Sequence, residues 1–339
     1  MRLLVTGGAG FIGSEFVRMT LGDGGDDSVI VLDKLTYAGN ERNLDPVRDN
    51  PRFSFVRGDI SDRELVRDLA EEVDVILNFA AESHVDRSLE EPGQFILTDV
   101  YGTFALMEAA RAAGHERFLQ VSTDEVYGDV AAGASTEHDP VRPRSPYSAS
   151  KAGGELLVHA YRASYGFPAV VTRGSNTYGQ YQYPEKIIPL FITNAMDDLR
   201  LPIYGDGGAV RDYLHVEDHC RGIDVVLRKG ALGEDYNIGA GSEVDGITVA
   251  DTVLDALGKP ASLKQFVADR LGHDRRYALS TEKIRTLGWK PRVSFEQGMQ
   301  RTVRWYVENE SWWRPLKGDA FWEFYKRNYR PAATPLQRA

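Results

Sequence analysis

The sequence predicts an α/β protein: a Rossmann-type doubly wound parallel sheet followed by a smaller mixed α/β C-terminal substrate domain. Three observations predict it. Short apolar runs rich in β-branched residues alternate with helical patterns through the first half. A glycine-rich turn follows the first run, and past about residue 174 the alternation gives way to glycine turns and short helices. The boundaries expected are 1–173 for the sheet domain and 174–339 for the second, with a segment near 236–239 returning to the sheet.

Each element follows from its pattern. Strands are expected at Leu3–Thr6, Val29–Asp33, Phe53–Arg57, Val75–Ala80, Phe118–Ser122 and Ala169–Arg173. The stretch Phe95–Ala113 reads as one helix, with Ile96, Val100, Phe104 and Met107 on one face. Later helices are expected near 186–197, 217–229, 248–258, 280–287 and 295–309. No repeat, low-complexity tract or flexible linker separates the halves, so they are expected to pack as one body. The aromatic tail from Trp312 to Tyr329 reads as a segment packing on that body, with a partner-binding patch as the alternative.

Composition narrows the classes of function. The 339 residues are 42% hydrophobic and 27% charged, as in a globular domain pair, and the net charge is −10. That balance argues against nucleic acid or an anionic membrane as the main partner. The single cysteine, Cys220, excludes an intramolecular disulfide and fits a reducing compartment. Met1-Arg2 runs straight into Leu3-Leu4-Val5, too short for a signal peptide, and no apolar run reaches the roughly 18 residues that cross a bilayer. A cytoplasmic protein is expected.

The turn Thr6-Gly7-Gly8-Ala9-Gly10-Phe11-Ile12-Gly13 opens a helix after the first strand. Gly7 permits the tight turn, Gly10 lets backbone approach a pyrophosphate, and Gly13 allows close helix–sheet packing. Asp33 ends the second strand, where an acid accepts from the adenosine ribose hydroxyls and repels a 2′-phosphate, so NAD is expected over NADP. Asp59-Ile60 and Ala80-Ala81 end the next two strands and fit the cofactor walls.

Tyr147 and Lys151 stand at i and i+4 on a helix after Ser145-Pro146, one turn apart on one face. A nearby ammonium and a positive nicotinamide favour the phenolate, so the Tyr147 pKa is expected to fall and Tyr147 to act as base on a sugar hydroxyl. Between the glycine turn and this pair lies Ser122-Thr123-Asp124-Glu125-Val126-Tyr127-Gly128. Inside a strand Asp124 and Glu125 would face opposite ways, so both serve one substrate only if the chain turns there. The alternative is that these acids merely favour the N-terminus of a following helix. Two adjacent carboxyls beside an oxidation site can act as acid and base and expel water.

These motifs, with Val31–Asn40, Ala80–Ser88, Pro184–Leu190, Arg211–His219 and Gly272–Tyr277, make the chain resemble the extended short-chain dehydrogenase/reductases, closest to the dTDP-glucose 4,6-dehydratase branch. The resemblance covers nearly the whole chain. It implies a lyase that oxidises C4 of the sugar with tightly bound NAD, eliminates water across C5 and C6, and returns hydride to C6. It implies Thr123, Asp124, Glu125, Tyr147 and Lys151 as the catalytic set, with Thr123 on the reacting hydroxyl, Asp124 as acid and Glu125 as base. It extends the cofactor set to Phe11, Ile12, Lys34, Leu35, Thr36, Gly39, Ser83, Thr98 and Thr177. It gives as substrate contacts His84, Thr123, Asn176, Lys186, Ile187, Pro202, Ile203, Tyr204, Arg211, Arg270 and His273. Homodimers paired through Phe95–Ala113 and Tyr147–Tyr165 are the family habit. The chain departs from the family pattern at Gly174, Thr177, Gln180 and Leu271.

Two other readings compete. A nucleotide-sugar 4-epimerase also makes a 4-ketone, but epimerases of the family lack the acid pair. A non-catalytic NAD-binding interaction module has no need of all five catalytic residues. His215 and His219 stand four apart with Glu217 and Asp218 between them, yet no further ligand cluster completes a metal site, so no metal is expected. Cys220 reads as a packed core thiol.

Overall fold

The structure, a computed structural model, describes residues 1–22 and 24–329; the expected domain limit at 339 lies outside the described residues. Seven parallel strands form the main sheet: β1 (Arg2–Thr6), β2 (Ser28–Asp33), β3 (Phe53–Arg57), β4 (Val75–Asn78), β5 (Phe118–Thr123), β6 (Ala169–Gly174) and, after the intervening β7 (Asn176–Tyr178), β8 (Leu201–Tyr204) and β9 (Val210–His215), the strand β10 (Asp235–Ile238). Their order is β10-β6-β5-β4-β1-β2-β3. Leu3, Leu4 and Val5 are all fully buried, as a strand covered by helices on both faces requires. The late segment around Tyr236 thus pairs with β6 at the sheet edge, Asp235 opposite Val171 and Ile238 opposite Gly174. A buried polar ladder crosses the middle strands: the Thr6 hydroxyl donates to Asn78 at 2.6 Å, and the Asn78 amide donates to Gln120 at 2.9 Å. Satisfied buried amides of this kind specify register better than apolar contact can.

Two smaller sheets follow. With β11 (Glu243–Asp245) the first has the order β11-β9-β7, and with β12 (Lys264–Val267) the second pairs β12 with β8. Their core gathers Tyr178, Phe191, Tyr213, Val249, Phe295, Met299, Tyr306, Trp312 and Trp313. The tail therefore packs inward: Trp312, Trp313, Phe321 and Phe324 are buried, and the Trp312 indole donates to Asn43 at 3.0 Å, tying this segment to the short helix Glu41–Val47 after β2.

Three expectations need correction. The fourth strand stops at Asn78, two residues early, though the Phe79 amide still bonds the Thr6 carbonyl. The helix near 280–287 is only Glu282–Thr286. Most consequentially, Phe95–Ala113 is not one regular helix: a π-helical stretch, Ile96–Gly102, separates Pro92–Phe95 from Thr103–Ala112. The wider turn takes Ile96 out to solvent and buries Thr98 and Asp99. Polar partners drive this. The Thr98 hydroxyl accepts from Lys34 at 2.9 Å, while Asp99 accepts from the Ser150 hydroxyl at 2.6 Å and the Glu82 amide at 3.1 Å. Such turns recur at functional sites.

Candidate active site

One cleft runs along the carboxyl ends of the strands, from β2 and β3 to β5 and β6. Its first wall is the glycine turn. Gly7 sits at φ +66, and a Cβ there would lie 2.6 Å from the Ala80 nitrogen; one on Gly13 would lie 2.4 Å from the Gly7 oxygen. Only hydrogen fits, so helix Phe11–Gly22 starts against the sheet with its N–H groups facing the cleft mouth. Asp33 fixes the turn from the next strand, accepting from the Ala9 amide at 3.0 Å and the Leu35 amide at 2.8 Å. Lys34 reaches Glu82 at 3.3 Å and Asp59 at 3.6 Å. Thr36, Gly39, Ile60, Ala80, Ala81, Ser83, Thr98 and Thr177 also line this cleft.

Leu35 differs from expectation. It holds φ 57, its side chain packs on the core, and only its backbone faces Asp33.

The opposite end holds the acid pair. After Thr123 the chain turns into a 3₁₀ helix, Asp124–Tyr127, and Thr123 caps it by accepting from the Glu125 amide at 3.3 Å. The acids occupy a helix start, and the turn that the sequence argument required brings both to the cleft. Asp124 is buried, its Oδ1 takes the Thr123 hydroxyl at 3.2 Å, and its Oδ2 has no protein partner. Burial, then Glu125 and Asp212, push its pKa well above the usual carboxylate range, which favours the protonated form. Burial also raises Glu125, but Arg270, Arg211 and Lys186 pull it back toward the carboxylate. Adjacent acids with opposed surroundings separate into a proton donor and a proton acceptor.

Tyr147 and Lys151 ride on helix Pro146–Tyr165, started by a Ser145–Ser148 capping box and Pro146 and stopped by Gly166 at φ 61. Lys151 is buried and donates to the Val121 carbonyl at 2.9 Å. The expected fall in the Tyr147 pKa is not met by the protein alone. Burial raises it, Glu125 and Asp99 raise it further, and the Thr123 hydrogen bond only partly opposes them. Burial first, and then two carboxylates invisible to the i, i+4 argument, set the direction.

The substrate-side residues divide. Asn176 and Lys186 line the cleft, and Lys186 donates to the Ser83 carbonyl. Arg270 has a buried Nε without a protein partner beside Glu125. His84 is buried near Asp86 with its pKa pushed down to about 3 by burial and then Lys186, so it is neutral. Tyr204 donates to Asp86 at 3.0 Å and stands edge-on to His273, whose Nδ1 lies 2.6 Å from Asp269. Arg211 is buried over the Tyr277 ring and donates to the Val210 and Asp274 carbonyls at 2.8 and 2.9 Å, which leaves less of its fork for a phosphate than expected.

Ile203 departs from expectation. Strand alternation turns Ile203 into the core, leaving Pro202 and Tyr204 on the other face, and Ile187 begins a helix with its side chain 39% exposed.

Sequence reasoning gave no role to Asp99 or Glu185 and weighed His219 only as a metal ligand. Glu185 pairs with Arg87 at 3.0 Å, and Arg87 lies over the rings of Tyr37 and Phe324. His219 and His215 do not converge on a common ligand point: the His219 Nδ1 meets the Thr177 hydroxyl at 2.7 Å, while the His215 ring packs edge-on to Tyr178. Their helical spacing drew attention to the wrong chemistry. The signal available for His219 was Gly174 and Thr177, both out of the family pattern. Cys220 is buried and its thiol donates to the Ile12 carbonyl at 3.4 Å.

The model of the family described as GDP-mannose 4,6 dehydratase matches residues 4–302. The dTDP-glucose 4,6-dehydratase of Streptomyces niveus is 52% identical, over 94% of this chain and 96% of its own. The chain belongs to the nucleotide-sugar 4,6-dehydratase family. The low-salt glycan biosynthesis protein Agl12 of Haloferax volcanii is also 52% identical, over 91% of this chain and all of its own. Among solved structures, DesIV, a dTDP-glucose 4,6-dehydratase from Streptomyces venezuelae with NAD and dTDP bound, superposes with a TM-score of 0.92 at 54% identity, covering 94% of this chain and all of that one.

Proposed function

We propose that this protein is a hydro-lyase that converts dTDP-glucose to dTDP-4-keto-6-deoxyglucose with tightly held NAD. The observation that carries this is the Asp124–Glu125 pair at the start of one helical turn in the cleft wall, one carboxyl buried with its pKa pushed up and the other faced by three cations. The cleft fits NAD: the Gly7–Gly13 turn leaves room only for backbone, Asp33 stands at the ribose position, and Lys34, Asp59, Ile60, Thr98 and Ser83 line the same channel. When bound, NAD accepts hydride from sugar C4 and gives it back at C6.

The residues do the rest. Tyr147 takes the 4-hydroxyl proton while Thr123 holds that oxygen. The ketone so formed acidifies C5–H, and Glu125 removes that proton. Asp124 gives its proton to the C6 oxygen, the C6–O bond breaks, and water leaves; Glu125 returns its proton to C5 as hydride reaches C6, and the proton taken by Tyr147 makes good the one Asp124 lost. Lys186 and Arg270 would face the diphosphate, and Tyr204 with Pro202 would border the base. An epimerase would need no acid beside C6, so Asp124 disfavours that alternative.

The domain division at 173/174, with β10 belonging to the first part, is part of this proposal. So is a homodimer: Ile96, Leu97, Tyr101 and Leu156, each at least 41% exposed, lie on the stretches the family pairs through. Among the described residues no helix is long and apolar enough to cross a membrane, and we place the enzyme in the cytoplasm with its nucleotide-sugar substrate.

The test is incubation with dTDP-glucose, followed by product mass. Loss of one water by wild type, and not by an Asp124→Asn, Glu125→Gln double variant, is expected. An unchanged mass with conversion to the galactose isomer would mean an epimerase, and no reaction would leave the binding module.

A further inference from the structure

Two of the four departures from the family pattern meet in one side chain. Gly174 ends β6 in register with Thr123, and a Cβ on it would lie 2.3 and 2.4 Å from Cε1 and Nε2 of His219. The imidazole occupies the space that glycine leaves. Thr177 holds the other side of the ring, its Oγ1 2.7 Å from Nδ1. The tautomer follows from counting hydrogens. The Thr177 hydroxyl also reaches the Ser175 carbonyl at 3.0 Å, and a hydrogen given there leaves a lone pair toward His219, which favours the tautomer that carries its proton on Nδ1. Burial pushes the His219 pKa down to about 4, so the ring is neutral and Nε2 is a bare acceptor.

That Nε2 is buried in the cleft wall without a protein partner, and the Asn176 Oδ1 close by is likewise unpartnered. A buried acceptor left unpaired costs about 1–3 kcal/mol, so its retention points to a donor supplied by a ligand. Its place identifies the donor. The cleft's ribose position is at β2, and Thr123, beside Gly174, marks the reacting end.

Resting on the NAD assignment above, we propose that His219 is a cofactor-positioning residue whose Nε2 accepts a hydrogen bond from the amide nitrogen of the nicotinamide carboxamide, fixing which face of the ring meets Tyr147. Gly174 makes room for this imidazole and Thr177 sets its tautomer, so the three residues form one unit.

Titration of the cofactor-stripped protein, without sugar, tests it. The probes are NAD and its 3-acetylpyridine analogue, in which a methyl group replaces the amide nitrogen. Wild type is expected to bind NAD about tenfold tighter than the analogue, the size of one hydrogen bond to a buried acceptor. In His219→Phe, NAD should weaken about tenfold while the analogue is unchanged, and His219→Gln, which keeps an acceptor, should restore part of the preference. Thr177→Val, which frees the tautomer, should shrink the preference even if the phenylalanine variant does not fold. Equal affinity of wild type for the two probes, or equal loss of both in the variants, overturns the proposal. Binding of neither by wild type would overturn the NAD assignment itself.

Discussion

The Lys151 ammonium donates to the carbonyl oxygen of Val121 at 2.9 Å, which fixes it to the strand that ends in Thr123. The lysine is thus held by β5, and Tyr147 stands one turn earlier on the same helix, in the cleft wall with Thr123. Replacing Lys151 with Met removes a cation one turn from the phenol and leaves the Val121 carbonyl without its donor. The phenolate becomes harder to form, so the ascending limb of the pH–rate profile should move to higher pH. Turnover near neutrality should fall by about 10²–10⁴-fold, the usual weight of a positioned base. An unmoved limb would show that Lys151 does not act on Tyr147.

Glu125→Gln should separate the half-reactions. Oxidation at C4 needs Tyr147 and not Glu125, whereas elimination needs a base at C5. With dTDP-glucose in excess, reduced cofactor should build up in the variant, and dehydrated product should fall by about 10²–10⁴-fold. Absorbance of the reduced nicotinamide in a single turnover measures it.

Asp124 bears on stability as well as turnover. Its folded pKa is raised above the unfolded carboxylate value, so the native state binds this proton more tightly than the unfolded chain does. That contribution is present below an unfolded pKa of about 4 and is lost as pH rises toward the folded value. Asp124→Asn should therefore melt higher than wild type at neutral pH, with an advantage that shrinks toward pH 4, while dehydration is lost. Thermal melts at several pH values decide it; a lower melting temperature throughout would contradict the assignment.

Arg173 is the test of structure apart from chemistry. Its buried guanidinium holds Glu155 with Nε–O distances of 3.0 and 3.1 Å and Asp235 at 2.8 Å, joining helix Pro146–Tyr165 to β10. Asp235 also takes Arg162 at 2.6 Å and His159 at 3.0 Å, and together these partners hold its carboxyl well below the usual range. Arg173→Leu strands a fully buried Glu155 carboxylate and should cost about 3–5 kcal/mol in denaturant unfolding. A loss under 1 kcal/mol would mean the carboxylates are satisfied without it.

Gly13→Val should abolish cofactor retention. Even a Cβ at Gly13 meets the Gly7 oxygen at 2.4 Å, so helix Phe11–Gly22 must move off the sheet and carry its N-terminus away from the pyrophosphate position. Protein purified from this variant should carry no bound nucleotide, which an absorbance ratio reads directly.

What the sequence determined by itself is what local spacing encodes. Gly7, Gly10 and Gly13 after an apolar strand, Asp33 at the next strand's end, and Tyr147 one turn before Lys151 each follow from a two- or 3.6-residue period and from turn chemistry, so the sheet and these residues of the cleft lining were legible in the sequence. Tertiary structure decided what depends on partners distant in sequence. The π turn exists because Thr98 and Asp99 find Lys34 and Ser150 across the fold. The Tyr147 pKa rises because the fold buries the phenol and brings Glu125 and Asp99 to it. Ile203 is core because β8 pairs with β12 and shows that side inward, and His219 enters the cleft wall because Gly174, 45 positions earlier, has no side chain. Burial and charge are sums over neighbours in space, and only the folded chain names the neighbours.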